Sequence, residues 1–293
     1  LFPSAVVVQG KEGILMKATI RKRAIGIVKY GIITLIAMGF LYPVWLVFIN
    51  SLKKDTEIYT NLFGLPYEFQ FINYIDAWVK GKFSVYYINS IVITGASVLL
   101  ILLFSTLASY TLSRKDLIGK GVLRVLFVVG ITIPVQVSLM PLFIEIKTFG
   151  LYNTLSGVIL IFIAFRLAFT TFIITGFMEG IPQELEEAAV IDGASSFTAL
   201  TKIILPLCRS GIGAVAIFNI VYVWNNFWFP LIFLSSQSKK TLPVGLLAFI
   251  GEETMAFGKL FAGIMILTLP VIVVYLLLQR QFVRGVTAGA VKG

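Results

Sequence analysis

Histidine is missing from the chain, and cysteine occurs once, at Cys208. Without histidine there is no imidazole base, no HExxH zinc site and no Ser–His–Asp triad. A single cysteine cannot close an intrachain disulfide. Cys208 itself reads as a small apolar residue near a helix start. No GxxxxGK[ST] occurs, so the chain does not cradle nucleotide phosphates by that route. Any use of ATP therefore needs another subunit. Charge is also scarce. Only 13% of residues are Asp, Glu, Lys or Arg, against about 25% in soluble domains.

Apolar residues make up 58% of the chain, and the mean hydropathy is +0.95. That excess is too large for a soluble core, and it implies an integral membrane protein with one membrane domain. Six stretches are long enough to cross, each needing about 20 residues. They are Val28–Asn50, Tyr87–Ser113, Gly121–Ile146, Leu155–Phe177, Leu207–Leu234 and Leu260–Gln279. The expected fold is all-α and polytopic, with six transmembrane helices. Pro43, Pro134, Pro141, Pro230 and Pro270 fall in these stretches and imply kinked helices, around a pathway or as packing kinks.

The net charge of +10 is explained by topology. Fifteen basic residues lie on one side of the six spans and eight on the other. The first group includes Arg21, Lys22 and Arg23 before the first span, Arg114, Lys115, Lys120 and Arg124 after the second, and Arg280 and Arg284 near the end. The positive-inside rule assigns that side, and both termini, to the cytoplasm. No case for nucleic-acid binding remains. The expected organisation is a cytoplasmic segment over 1–27, a six-helix membrane domain over 28–281 with a cytoplasmic loop at 180–206, and a cytoplasmic tail over 282–293. Residues 1–15, "LFPSAVVVQGKEGIL", fit neither a span nor a signal peptide. Met16 reads as a natural start, and 1–15 are set aside as an upstream start or a non-native addition.

The most ordered polar stretch is "QELEEAAVIDGASSFTALTKIILP", Gln183 to Pro206. It reads as helix, turn, helix. Pro182 suits a first helical position. Glu184, Glu186 and Glu187 sit where the helix dipole favours negative charge. Leu185, Ala188, Ala189 and Ile191 form a small apolar face. Gly193 permits the left-handed corner, and Ser195 or Ser196 can cap the next helix. So short a helix is marginal alone. It rests on headgroups or its own bundle, or it docks on a cytoplasmic partner.

Glu187-Ala188-Ala189, Gly193 and Ile203-x-Leu205-Pro206 together match EAA-x3-G-x9-I-x-L-P at every fixed position. This resembles the signature of bacterial ABC importer permeases. The resemblance extends from about Lys29 to Gly293 and is to the maltose-type carbohydrate-uptake branch, through "FINSLKKDTEI", "INYIDAW", "YYINSIVIT", "VWNNFWFPLIFL", "KTLPVGL" and "QRQFVRGVTAGAVKG". Two positions depart from it. Asn226 stands where an acidic residue is common, and Ala168 where proline often is.

The resemblance implies a non-catalytic subunit in a bacterial inner membrane. Its implied partners are a second, related permease, two nucleotide-binding ATPase subunits that hold ATP and Mg, and an external solute-binding protein that delivers a carbohydrate. This chain would hold no cofactor and no metal. The ATPase-coupling residues would be Glu184, Glu187, Ala188, Ala189, Asp192 and Gly193. Gly289, Lys292 and Gly293 in the tail would reach the nucleotide-binding dimer. An ion-coupled secondary transporter is the alternative, but it needs carboxylates well inside a span, and none is there.

Arg166 lies near the middle of the fourth span. Such an arginine costs roughly 2.5–3.5 kcal/mol on insertion scales and faces a bundle interior or water. It is either tied to carbonyls or the partner permease, or it attracts an anionic sugar such as a uronate oligosaccharide. Tyr222, Trp224, Asn225, Asn226 and Trp228 combine flat faces with amides, as a sugar site does, but ordinary packing with an aromatic belt accounts for them more readily.

Overall fold

The structure, a computed structural model, describes residues 4–251 and 255–290, and the side chains of 26–251 and 255–281. Helices carry the fold, and one isolated antiparallel bridge joins Ile250 to Met255. The long helices are α1 (Ser4–Ser51), α4 (Phe83–Arg114), α7 (Leu155–Glu179), α10 (Leu205–Trp224) and α13 (Phe257–Ala290). Between them run α2 (Asp55–Thr60), α3 (Ile72–Val79), α5 (Lys120–Thr132), α6 (Val135–Thr148), α8 (Glu184–Ile191), α9 (Ser196–Ala199), α11 (Trp228–Phe233) and α12 (Leu242–Gly245). Five described segments qualify as membrane spans: Gly26–Ser51, Phe83–Arg114, Leu155–Glu179, Ser196–Trp224 and Phe257–Gln281.

The third expected span is not one straight helix. It is α5 and α6, bent by 100° at Ile133–Pro134. Proline pushes the residue before it out of the helical region, and Ile133 is extended, at φ −69° and ψ 118°. The fifth span also differs from expectation. It starts earlier, at α9, passes through a π-helical turn at Leu200–Ile204, and ends at Trp224. The chain then breaks at Asn225–Phe227 before α11. By contrast Ala168 leaves α7 continuous, and Gly130 of α5 comes so near that a Cβ there would lie 3.3 Å from the Ala168 Cβ.

α4 and α7 form the spine, with α5 and α10 against α7 and with α13 against α10 and α1. Hydroxyls stitch the spine. Ser109 Oγ donates to Thr171 O at 3.0 Å, and Ser105 Oγ to Leu167 O at 3.4 Å. One apolar core gathers Ile93, Val158, Phe162, Val223, Phe229 and Phe233. A second, at the α8 end of the molecule, gathers Tyr110, Ile174, Met178, Leu200, Ile204 and Cys208. Much of α1 between Gly26 and Trp45 stays exposed although it is apolar. Lipid or another subunit has to cover such a surface.

The opposite end is a polar knot. Lys53 is fully buried, and its ammonium donates to Asn50 Oδ1 at 3.1 Å and Asn61 O at 2.5 Å. Burial pushes its pKa down, partly offset by Glu57. Asn73 Nδ2 donates to Ser51 O and Lys53 O, both at 2.9 Å. Asn89 Nδ2 reaches the carbonyls of Ser238 and Lys240, also at 2.9 Å. These bonds explain why "FINSLKKD" ends an apolar span with polar residues: their groups satisfy one another at the corner between α1 and α3.

Candidate functional site

α8 begins at Glu184, so Pro182 lies before the helix and not at its first position. Its first bonds run from the Glu186 and Glu187 N–H groups to Gln183 O. Its last turn closes by the Schellman pattern. Ala194 N donates to Ala189 O at 2.9 Å and Gly193 N to Val190 O at 3.0 Å. Gly193 sits at φ +85°, with open space where a Cβ would be, so backbone conformation alone selects glycine. Ser195 Oγ then accepts from Thr198 N at 3.2 Å and caps α9.

Of the residues singled out for coupling, Glu184, Glu187, Ala188 and Asp192 are exposed and Ala189 is half-buried. The apolar side chains are exposed too: Leu185 at 45%, Val190 at 53% and Ile191 at 86%. The helix presents them largely outward. Its one buried residue is Glu186, which sequence reasoning counted only among the acidic residues near the N-terminus. Tyr110 Oη donates to Glu186 Oε1 at 2.5 Å. Arg114 Nε faces Glu186 Oε2 at 3.6 Å, and Lys115 Nζ is 3.9 Å from Oε1. Arg114 also donates to Met178 O at 2.7 Å and Ile181 O at 2.9 Å. Nearby, Arg124 pairs with Glu179 and donates to Leu112 O at 3.1 Å.

The tail residues divide. α13 continues through Gly289 to Ala290, so the backbone of the expected loose tail is helical that far. Lys292 and Gly293 lie outside the described residues.

The mid-depth candidates also divide. Arg166 is half-buried. Its Nε donates to Asn219 Oδ1 at 2.7 Å. Its guanidinium carbon lies 4.4 Å from the ring centroids of both Phe169 and Tyr222, within cation–π range. Asn219 is fully buried and completes its bonding by donating to Thr170 Oγ1 and Val215 O, each at 3.0 Å. Among the described residues the two terminal nitrogens of Arg166 have no partner. Trp224 is buried, donates to Leu267 O at 2.9 Å and packs edge-on with Tyr87. Asn226 accepts from Phe229 N at 3.0 Å and starts α11. Asn225 and Trp228 are exposed. So Arg166 and Tyr222 form one cluster, while Trp224 and Asn226 serve the packing and the helix break. A groove of about 1400 Å³ between α4, α10 and α13 is lined by none of these residues.

A family described as the binding-protein-dependent transport system inner membrane component matches residues 101–288. The chain belongs to that family. The permease is therefore a multi-pass protein of the bacterial inner membrane. It is 33% identical to the diacetylchitobiose uptake system permease protein NgcG of Streptomyces coelicolor, over 91% of this chain and 89% of that one. It is 33% identical to the melibiose/raffinose/stachyose import permease protein MelC of Bacillus subtilis, over 88% and 94%. A crystal structure of a bacterial ABC transporter involved in the import of the acidic polysaccharide alginate has the same fold. Its TM-score is 0.77 at 24% identity, over 89% of this chain and 98% of that one.

Proposed function

We propose that the permease is one of two related membrane subunits of an ATP-driven importer. Two ATPase subunits hold the ATP and Mg and engage α8 from the cytoplasm, and a solute-binding protein delivers a carbohydrate from outside. Alternating access follows because ATP binds one state of the assembly better than the other. The observation that carries this reading is α8, a short helix with its large apolar side chains, Glu184 and Glu187 turned outward and a corner at Gly193. The basic residues around it support the cytoplasmic side. The sugar importers among the relatives support the cargo.

Purification of the membrane complex tests it. A copurifying ATPase whose activity rises with loaded binding protein is expected. Uptake driven by an ion gradient without ATP overturns the reading.

A second observation narrows the cargo. Among the described residues the two terminal nitrogens of Arg166 make no hydrogen bond, at mid-depth. A carboxylate on the sugar would pair with them bidentately. This favours a carbohydrate bearing acidic groups, in line with the acidic polysaccharide of the structural neighbour.

A further inference from the structure

Beyond its contacts with α9 and the π-helical turn, α8 has a narrow link to α4 and α7. Six of the eight residues of α8 are exposed, including its three large apolar ones, and one is buried. Glu186 alone reaches into the core. There it meets Tyr110, whose ring packs with Ile174, Met178, Leu200 and Ile204 of α7 and the π-helical turn. It also meets Arg114, which is itself bonded to Met178 O in the last turn of α7 and to Ile181 O just beyond it. A push on α8 thus reaches α4 and α7 through one carboxylate, bypassing the exposed chain at Pro182–Gln183.

The contact is also incomplete. Arg114 Nε and Glu186 Oε2 are both buried, and among the described residues neither has a hydrogen-bond partner. They face each other at 3.6 Å, beyond the ordinary hydrogen-bond range of 2.7–3.2 Å. Two buried, opposite charges with unmet bonds favour any displacement that brings them together.

We propose that Glu186 is the positioning residue that transmits the movement of α8 to α4 and α7. When the ATPase subunits engage the outer face of α8, the Arg114–Glu186 hydrogen bond closes and the Tyr110 bond holds. The helix ends then move as one body. This inference rests on the importer reading above and adds to it a contact inside this chain that passes on the movement, on the face of α8 turned away from the partner.

The test uses the complete transporter in proteoliposomes, with Glu186→Gln and Tyr110→Phe compared at equal amounts of assembled complex. The readout is ATP hydrolysed per sugar taken up. Glu186→Gln keeps an acceptor for Tyr110 but loses the charge facing Arg114, and Tyr110→Phe keeps that charge but loses the phenol bond. The ratio is expected to rise about tenfold for Glu186→Gln, the equivalent of losing one charge-assisted hydrogen bond, and less for Tyr110→Phe. A purely structural anchor would lower the yield of complex and leave the ratio alone. Should Glu186→Gln fail to assemble, Tyr110→Phe decides. An unchanged ratio in the assembled variants overturns the proposal. Wild-type protein without ATP-driven uptake overturns the importer reading instead.

Discussion

Arg166 Nε donates to Asn219 Oδ1 across 2.7 Å, joining α7 to α10 at mid-depth. Asn219 is fully buried, and its two other bonds fix the direction in which its oxygen points. The amide therefore orients the guanidinium without neutralising it. Asn219→Ala removes a hydrogen bond to a charged group, a loss of about 1.5–3 kcal/mol. The thermal midpoint of the purified complex is expected to fall by several degrees. Asn219→Asp keeps an acceptor for Arg166 but cannot donate to Thr170 Oγ1 or Val215 O, so it too should fall below wild type. Equal midpoints for wild type and Asn219→Ala would show that the bond contributes nothing.

The same geometry predicts a selective transport defect. If a carboxylate passes Arg166, then Arg166→Gln removes a charge-assisted pair and leaves neutral cargo unaffected. Uptake of acidic oligosaccharides should drop roughly 10- to 100-fold, the equivalent of one such bond. Arg166→Lys should fall between, because a point charge cannot form the planar fork. Competition by acidic and neutral oligosaccharides in one uptake assay separates the two. Equal loss of both classes would reduce Arg166 to a structural tie between α7 and α10.

Sequence and structure agree best where a local rule is decisive. Gly193 was legible because only a left-handed corner needs it there, and Ser195 because a cap follows such a corner. The bend at Ile133–Pro134 had a local cause, but its 100° depends on how α6 packs against the core near Phe143 and Phe233. Glu186 was not separable from Glu184 and Glu187 by sequence. All three are acidic residues near one helix start, and helical phase decides which one turns inward. Its partner Tyr110 is 76 residues away. Asn219 was missed for the same reason, standing 53 residues from Arg166 in an apolar run with no periodic signal.

The corner and the outer face of α8 make separable predictions. Gly193→Ala forces a Cβ into the left-handed region, a cost of about 1–2 kcal/mol, whereas Gly193→Asn is tolerated there. The Glu187 side chain is exposed and makes no hydrogen bond or ion pair among the described residues. Glu187→Lys should therefore leave stability unchanged within about 0.5 kcal/mol while reducing ATP-driven uptake at least tenfold. Gly193→Ala should lower both uptake and the stability of the complex. Retention of full uptake by Glu187→Lys would remove that residue from the coupling surface.

At the far end, Asp76 gives a prediction in pH. Its two carboxylate oxygens accept from Lys80 at 2.8 Å and Lys259 at 2.9 Å, tying α3 to the first turn of α13. The hydrogen bonds from Lys80 and then Lys259 hold its pKa below the ordinary carboxylate value, against the effect of burial. A carboxylate with a depressed folded-state pKa stabilises the fold above its unfolded value, about 3.9. That contribution is lost as pH falls through the lower, folded value. Asp76→Asn should therefore be less stable than wild type at pH 7 and pH 5, with the gap closing only below about pH 4. Lys80 is 75% exposed, so added salt should narrow the gap at pH 7. Thermal midpoints of both proteins across this range check the sign. A gap that widened towards acid pH would mean that the carboxyl is stabilised in its protonated form, which the two lysines exclude.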